Sequence, residues 1–344
     1  MFVPLLHGGN LVEAEGRYGI KREQWLDLST GVSPLCYRLD SFFERSWSRL
    51  PGDMDALHGA AARYYGASSL LAVPGSQWAI QTLPRLRRRS QVAVLKPSYQ
   101  EHAFQWQRYG HVVDSFAAAE LSVVGQACDV VILANPNNPD NYCFDREALL
   151  SCLAQVRKRH GWLIVDEAFI DLSEAESLVT LAAQQDHTET GLIVLRSPGK
   201  PFGLAGARVG FVLAWPELLL CLKEELGPWP IAGPSMEIVT AALEDISWQR
   251  LARQQLARFS SRLKELLESA GLSVTALNTL FAYVQTEQAQ AIYEAMAREG
   301  ILLRFFPSAD RYPPALRVGL PGAEVEWQRL EESLGRVCRT ILHE

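Results

Sequence analysis

The sequence predicts an α/β protein: a mainly parallel central sheet with helices on both faces, joined to a smaller α+β unit. Three observations carry this expectation. From about residue 54, short β-branched runs alternate with helical segments, the pattern of a parallel sheet wound with helices. Those runs are mostly apolar at every position, as strands covered on both faces require. After about residue 245 the texture changes to a long amphipathic helix followed by short strands and helices. The expected division is a large α/β domain at 45–244 and a small α+β domain at 1–44 with 245–344.

The elements follow in order. MDALHGAAARYYG carries apolar residues at 56, 57, 60, 61 and 64, one face of a helix. LLAV is short and apolar, and PGSQ turns the chain into another helix. QVAVL (91–95), HVVDSFA (111–117), DVVILA (129–134), WLIV (162–165), LIVLR (192–196) and ARVGFVLA (207–214) read as strands bounded by Gly, Pro or Asn. DREALLSCLAQVRKRH lies between two of them as a helix, with Asp145 as its N-cap and basic residues in its last turn. Beyond 245, SWQRLARQQLARFSSRLKELLESAG is a long amphipathic helix. LSVTAL, LFAYVQ, ILLRFF and ALRVGL read as strands, with helices at EQAQAIYEAMAREG and at the end of the chain.

Composition narrows the class. At 344 residues, 48% hydrophobic and 21% charged, the chain has the make-up of a folded soluble protein with a sizeable core. The net charge of −6 disfavours nucleic-acid or anionic-membrane partners. Arg85 with Arg87, Arg88 and Arg89 reads as a solvated helix end. Six cysteines without a CxxC spacing argue against zinc and against a disulfide framework, and fit the cytoplasm. MFVPLLHGGN lacks the basic and long apolar regions of a signal peptide. No apolar run reaches the roughly 18 residues of a membrane span.

Ligands of such sheets bind beyond the carboxyl ends of the strands, and unusual residues cluster there. Gly75, Ser76 and Gln77 follow LLAV and open a helix, offering backbone N–H groups to an anion. Tyr99 follows VLKPS, Asn138 sits in NPNNP after VVILA, and Asp166 ends WLIV. Lys200 lies among small residues in SPGKPFGLAGARVG, with Ser197 before it and Arg208 after it. A lysine, a carboxylate, an aromatic, an amide and an anion-binding helix end match what pyridoxal 5'-phosphate requires. Its aldehyde needs an amine. Its pyridine nitrogen needs a carboxylate, and its phosphate needs N–H donors, hydroxyls and an arginine. A phosphate-binding P-loop is excluded because Lys200 is followed by Pro201 and lacks the upstream glycine. A serine hydrolase is disfavoured by the lack of a GxSxG elbow.

NPNNP, VDEAF, SPGK and GLAGARVG resemble the fold-type I pyridoxal-phosphate enzymes, in the branch that includes histidinol-phosphate aminotransferase, over nearly the whole chain. HGGN, DLSTGVSP, DEAFIDL and LRVGLPG more narrowly resemble the threonine-phosphate decarboxylases of aerobic cobalamin synthesis. The resemblance implies a fold-type I aminotransferase-like fold and a cytoplasmic homodimer. It implies decarboxylation of L-threonine O-3-phosphate, a phosphorylated amino acid; a histidinol-phosphate-type aminotransferase is the alternative. Lys200 would bond the cofactor's aldehyde and Asp166 would partner its ring nitrogen. Asn138 would bond its phenolic oxygen and Tyr99 would stack on its ring. Gly75, Ser76, Gln77, Ser197 and Arg208 would hold its phosphate. Arg317 would grip the substrate carboxylate as a bidentate fork, with His7, Gly31 and Arg329 as further substrate-binding candidates.

Three positions depart from the pattern. Phe169 stands where the aminotransferases carry a tyrosine, a change that leans away from simple transamination. Leu50 replaces a tyrosine that in many relatives reaches the partner subunit's site, and Gly199 replaces a hydroxyl residue before the lysine.

Overall fold

The structure, a computed structural model, describes residues 7–38, 45–309 and 312–342. It contains two compact units. The larger comprises Cys36–Asn138 and Tyr142–Gln249, the smaller Met1–Leu35, Pro139–Asn141 and Arg250–Glu344. In chain order the strands are β1 (Leu26–Asp27), β2 (Leu70–Val73), β3 (Gln91–Leu95), β4 (Val112–Phe116), β5 (Val130–Ala134), β6 (Trp162–Asp166) and β7 (Leu192–Arg196). They continue as β8 (Gly210–Leu213), β9 (Ala276–Asn278), β10 (Phe281–Gln285), β11 (Ile301–Leu302), β12 (Arg304–Phe306) and β13 (Ala315–Gly319). The first five α-helices are α1 (Leu11–Tyr18), α2 (Arg45–Ser48), α3 (Asp55–Tyr65), α4 (Ser76–Thr82) and α5 (Glu101–Arg108).

The larger unit is built on a seven-stranded sheet in the order β2-β8-β7-β6-β5-β3-β4. All strands run parallel except β8, which is antiparallel to both neighbours. The expected mainly parallel sheet is therefore present. Every residue of β5, β6 and β7 is buried, and alternate side chains enter different cores. Val131, Leu133, Leu163, Val165 and Val194 pack into one core; Val130, Ile132, Ile164, Ile193 and Leu195 pack into the other. The period of two along a pleated strand explains this split, and it is why these strands show no polar alternation.

Strand β8 is shorter than the apolar run 207–214. Arg208 takes the left-handed region (φ 52°, ψ 51°) after a tight turn at Ala205–Ala207, and that geometry cannot belong to a strand. Asp145 precedes the helix Arg146–Arg157 with extended backbone, but its side chain accepts no hydrogen bond from the first turn. It offers that helix end a negative charge rather than a cap.

Strand order reverses between β5 and β3, since β4 lies beyond β3 while β6 and β7 extend the other way. Such a switch point opens a crevice at the carboxyl ends of the strands. Beyond those ends run the segments that carry Tyr99, Asn138 and Lys200, and Asp166 is the last residue of β6. β2 is parallel to β7, so Gly75 and Ser76 leave from the same edge.

The smaller unit has an antiparallel sheet, β12-β13-β10-β9, and a parallel pair, β1 with β11. The run LSVTAL contributes to a strand only from Ala276. Gly319 ends β13 where its backbone N–H meets the Leu28 carbonyl, and a Cβ there would stand 2.8 Å from that oxygen. Among the described residues, no helix is long and apolar enough to cross a membrane.

Candidate active site

Two glycines and an arginine shape the anion end. Gly75 has φ 72° and directly precedes α4; a Cβ there would lie 2.9 Å from the Arg208 guanidinium. Arg208 in turn owes its approach to its left-handed backbone, and it donates to the Ala205 carbonyl at 3.2 Å. No carboxylate among the described residues pairs with it. The Ser197 hydroxyl donates to the Ser76 hydroxyl at 2.8 Å. Gly210 starts β8 so close to α4 that a Cβ would collide with the Ser76 backbone nitrogen and stand 2.8 Å from the Gly75 carbonyl carbon. Gly75, Ser76, Ser197 and Arg208 therefore come together. The Gln77 side chain is engaged elsewhere: its amide accepts from the Tyr99 hydroxyl at 3.1 Å and donates to Glu101 at 2.8 Å.

At the other end lies a buried carboxylate. Asp166 (5% exposed) closes β6, where its Oδ1 accepts the Ala168 N–H at 3.1 Å. Its Oδ2 meets Nε2 of His102 (2% exposed) at 3.1 Å. The His102 ring stands edge-on to Tyr99, with centroids 6.2 Å apart and planes at 85°. The NPNNP loop is fixed by Asn135, whose Oδ1 accepts from the Phe144 N–H, and by Asn137. Asn137 donates to the Pro97 carbonyl and accepts from the Ser98 hydroxyl. Asn138 follows them, half-buried.

Lys200 sits in a tight turn beyond β7. Its N–H donates to the Ser197 carbonyl at 3.1 Å, and the Leu204 N–H bonds back to the Gly199 carbonyl at 2.9 Å. A side chain at 199 would press on the Leu204 carbonyl and the Ala205 backbone, both 3.1 Å from a Cβ, which accounts for glycine there. The Lys200 ammonium lies 4.5 Å from the centroid of the Phe169 ring. Phe169 thus fills the space beside the amine with a hydrocarbon face that attracts a cation but offers no proton.

Behind these loops is a buried ion cluster. Arg196 donates to Glu167 at 3.0 Å, to the Ser177 hydroxyl at 3.1 Å and to Asp171 at 2.5 Å, with Tyr65 under its guanidinium. Burial pulls the Arg196 pKa down, but Asp171, Tyr65 and Glu167 outweigh it and hold the arginine above its ordinary value. Burial pushes Glu167 up despite Arg196 and its hydrogen bonds.

The remaining sequence candidates belong to the smaller unit. Arg317, buried in β13, donates to the Ser29 carbonyl at 2.6 Å and lies over the Phe281 ring. Its cross-strand neighbour is Arg304. Burial and then Arg304 depress the Arg317 pKa, offset in part by Asp27. Gly31 (φ 62°) is buried two residues after Ser29, and the Ser29 hydroxyl accepts the Gly9 N–H at 2.7 Å. His7 is exposed at the start of the same HGGN run. Arg329 stands apart from this group. Its guanidinium donates to the carbonyls of Gln24, Glu299 and Gly300, a tie between backbone segments, and we assign it to structure rather than to substrate.

Sequence reasoning passed over His102, Glu101, Arg196, Glu167 and Arg304. EH at the head of a helix reads as ordinary surface, and nothing in its spacing marks a partner 64 residues away. Arg304 had a visible signal: a lone arginine inside the apolar run ILLRFF, which the structure divides between β11 and β12.

An amine, a buried carboxylate and an anion cradle on one sheet edge define a protein built around a flat, phosphorylated carbonyl cofactor. Residues 49–336 match the model of the family Aminotransferase class I and II, and the chain belongs to that family. It is 44% identical to the threonine-phosphate decarboxylase of Pseudomonas aeruginosa over 96% of this chain and 97% of that one. It is 38% identical to the threonine-phosphate decarboxylase of a Sinorhizobium species over 98% and 99%. A solved histidinol-phosphate aminotransferase of Sinorhizobium meliloti, in complex with pyridoxal-5'-phosphate, shares the fold with a TM-score of 0.82 at 19% identity, covering 98% of this chain and 96% of that one.

The crowding at Gly210 makes a prediction. Gly210→Ala must displace the Gly75–Ser76 backbone, and pyridoxal phosphate should bind on the order of tenfold more weakly or worse, with a lower melting temperature. Gly206→Ala, where a Cβ meets nothing within 4 Å, should do neither. Cofactor titration and thermal melting of both variants check this.

Proposed function

We propose that this chain is a pyridoxal-phosphate-dependent carboxy-lyase converting L-threonine O-3-phosphate to (R)-1-aminopropan-2-ol O-phosphate and carbon dioxide, a reaction of cobalamin biosynthesis. The observation that carries the reading is the assembly on one sheet edge of Lys200, Asp166 backed by His102, and the Gly75–Ser76–Ser197–Arg208 cradle. Two relatives aligned over nearly their whole length bear the decarboxylase name.

The residues fit the cofactor. Arg208 is an exposed cation beside two hydroxyls and glycine backbone, a donor set suited to a phosphate. Lys200 would hold the aldehyde carbon, Asp166 the ring nitrogen, Tyr99 the ring face and Asn138 the phenolic oxygen. Ser76, Ser197, Arg208 and the backbone of Gly75 and Gln77 would hold the phosphate. When bound, the cofactor supplies an electron sink for the pair released at the substrate's Cα.

The chain's own residues do the rest. Asp166 would face the ring nitrogen, and His102 holds that carboxylate in place. Arg317 is the proposed partner of the substrate carboxylate: its buried charge is disfavoured by desolvation and by Arg304, so an anion would relieve both. Its grip would decide which bond at Cα is poised to break, and hence that carbon dioxide leaves rather than a proton. The Lys200 amine, set free when the substrate's amine takes its place on the aldehyde carbon, would then deliver a proton to Cα in place of the carboxylate lost as carbon dioxide. Phe169, unable to donate a hydrogen bond beside that amine, suits a site that does not pass an amino group onward.

The enzyme would act in the cytoplasm, consistent with six unbridged cysteines, and as a homodimer. Trp47 (72% exposed), Leu50 (67%) and Trp229 (56%) support the dimer. All three belong to the larger unit, where Gly233 lies against the Ser46 carbonyl and so brings the segment after Trp229 beside α2. Sedimentation should give about twice the 38.3 kDa chain mass, and a 38.3 kDa species would refute the dimer.

The reaction is tested by incubating the protein with pyridoxal phosphate and L-threonine O-3-phosphate without any keto acid. Equal amounts of carbon dioxide and aminopropanol phosphate are expected, and Lys200→Ala should abolish both. Amino transfer that appears only with histidinol phosphate and 2-oxoglutarate would overturn the decarboxylase reading.

A further inference from the structure

We infer that Glu101 is a positioning residue for the cofactor's ring face: it fixes the Gln77 amide so that Gln77 holds the Tyr99 phenol, and thereby sets the plane of the Tyr99 ring. The inference rests on the cofactor reading above and extends it to a residue that touches no expected cofactor atom.

An ionised carboxylate only accepts hydrogen bonds, whereas a glutamine amide has one end that donates and one that accepts. Two amides converge on the same Glu101 oxygen, Gln77 Nε2 at 2.8 Å and Gln105 Nε2 at 2.9 Å. With its nitrogen committed to Glu101, Gln77 must present Oε1 on its other side. The Tyr99 hydroxyl meets that oxygen at 3.1 Å and must therefore be the donor. Glu101 thus dictates the direction of a chain of bonds that ends on Tyr99. Gln105 keeps its nitrogen on Glu101 although its own oxygen is buried without a hydrogen-bond partner. Such an acceptor is costly to bury, so the orientation of this amide is governed by the carboxylate.

The placement gives the chain a purpose. Glu101 and Gln105 are buried, one turn apart on α5. His102, next to Glu101, reaches Asp166 and stands edge-on to the Tyr99 ring. A single helical turn therefore braces the stacking ring through Glu101 and the ring-nitrogen carboxylate through His102. Gln77 connects this turn to the start of α4, where the phosphate cradle begins. Along Glu101, Gln77 and Tyr99 each donor meets an acceptor; such a chain in a low-dielectric setting is stiff, and stiffness in a stacking face matters because a tilted ring loses contact over its whole area.

The test uses full-length protein stripped of cofactor and titrated with pyridoxal phosphate, followed by the visible circular dichroism of the bound cofactor. Glu101→Gln keeps the shape but can donate as well as accept, so the amides lose their fixed direction. Affinity should fall by about three- to tenfold, and the cofactor's dichroic band should change in amplitude. Gln77→Leu, which leaves the Glu101–Gln105 pair intact, should do the same and carries the test if Glu101→Gln does not fold. Tyr99→Phe should reproduce the effect, and adding Glu101→Gln to it should cost little more. Wild-type affinity and an unaltered band in both Glu101→Gln and Gln77→Leu would overturn the inference, as would full additivity with Tyr99→Phe. Wild-type protein that takes up no pyridoxal phosphate at all would overturn the cofactor reading, and this inference with it.

Discussion

Arg196 ties together the two loops on which the site depends. It ends β7, one residue before Ser197 and four before Lys200, and its guanidinium reaches Glu167 and Asp171, which flank Phe169 just beyond Asp166. Parallel strands β6 and β7 set the loops side by side; the buried ion cluster fixes their separation. Breaking such a cluster by removing one partner strands a buried charge, a penalty of about 3–5 kcal/mol in comparable cases. The same pleat that sends Asp166 toward the site sends Glu167 behind it. Function and support therefore alternate along the chain.

Around that frame the site separates its tasks by position. The proposed anion end combines Arg208 with two hydroxyls and close-packed backbone; Gly75 leaves room for the Arg208 guanidinium and Gly210 for the Ser76 backbone. The ring end is made of braced side chains, because a carboxylate and an aromatic face act only if held. Asp166 carries two hydrogen bonds in a buried setting, and Tyr99 is held through Gln77. Lys200 differs from both. In the proposed reaction it would gain and lose a covalent bond and a proton, and its side chain is half-buried over the smooth face of Phe169.

Much of this was legible from residue order alone. A parallel sheet delivers successive strand ends to one edge, so VVILANPNN, WLIVD and LIVLRSPGK announce both the strands and what lies beyond them. Single residues with pairwise partners far away in sequence were not legible. His102 and Glu101 lie with Gln105 and Trp106 on the buried face of α5, where polar residues read as surface, and the Arg196 cluster joins three segments whose charges look like ordinary surface. Arg329, a substrate-binding candidate from the resemblance, donates to three backbone carbonyls, partners that its sequence neighbourhood does not announce. Asp145 occupies a capping position without capping. The apolar run at 207–214 concealed the left-handed turn at Arg208, because arginine carries no signature of positive φ.

The central claim is that the edge formed by β2, β6 and β7 is built to hold pyridoxal phosphate on one amine, that of Lys200. Borohydride fixation of the cofactor-loaded protein, followed by peptide mapping, tests it directly. The account predicts one pyridoxyl-labelled peptide, with the label on Lys200. A label on any other lysine, or none while the cofactor remains bound, would contradict it.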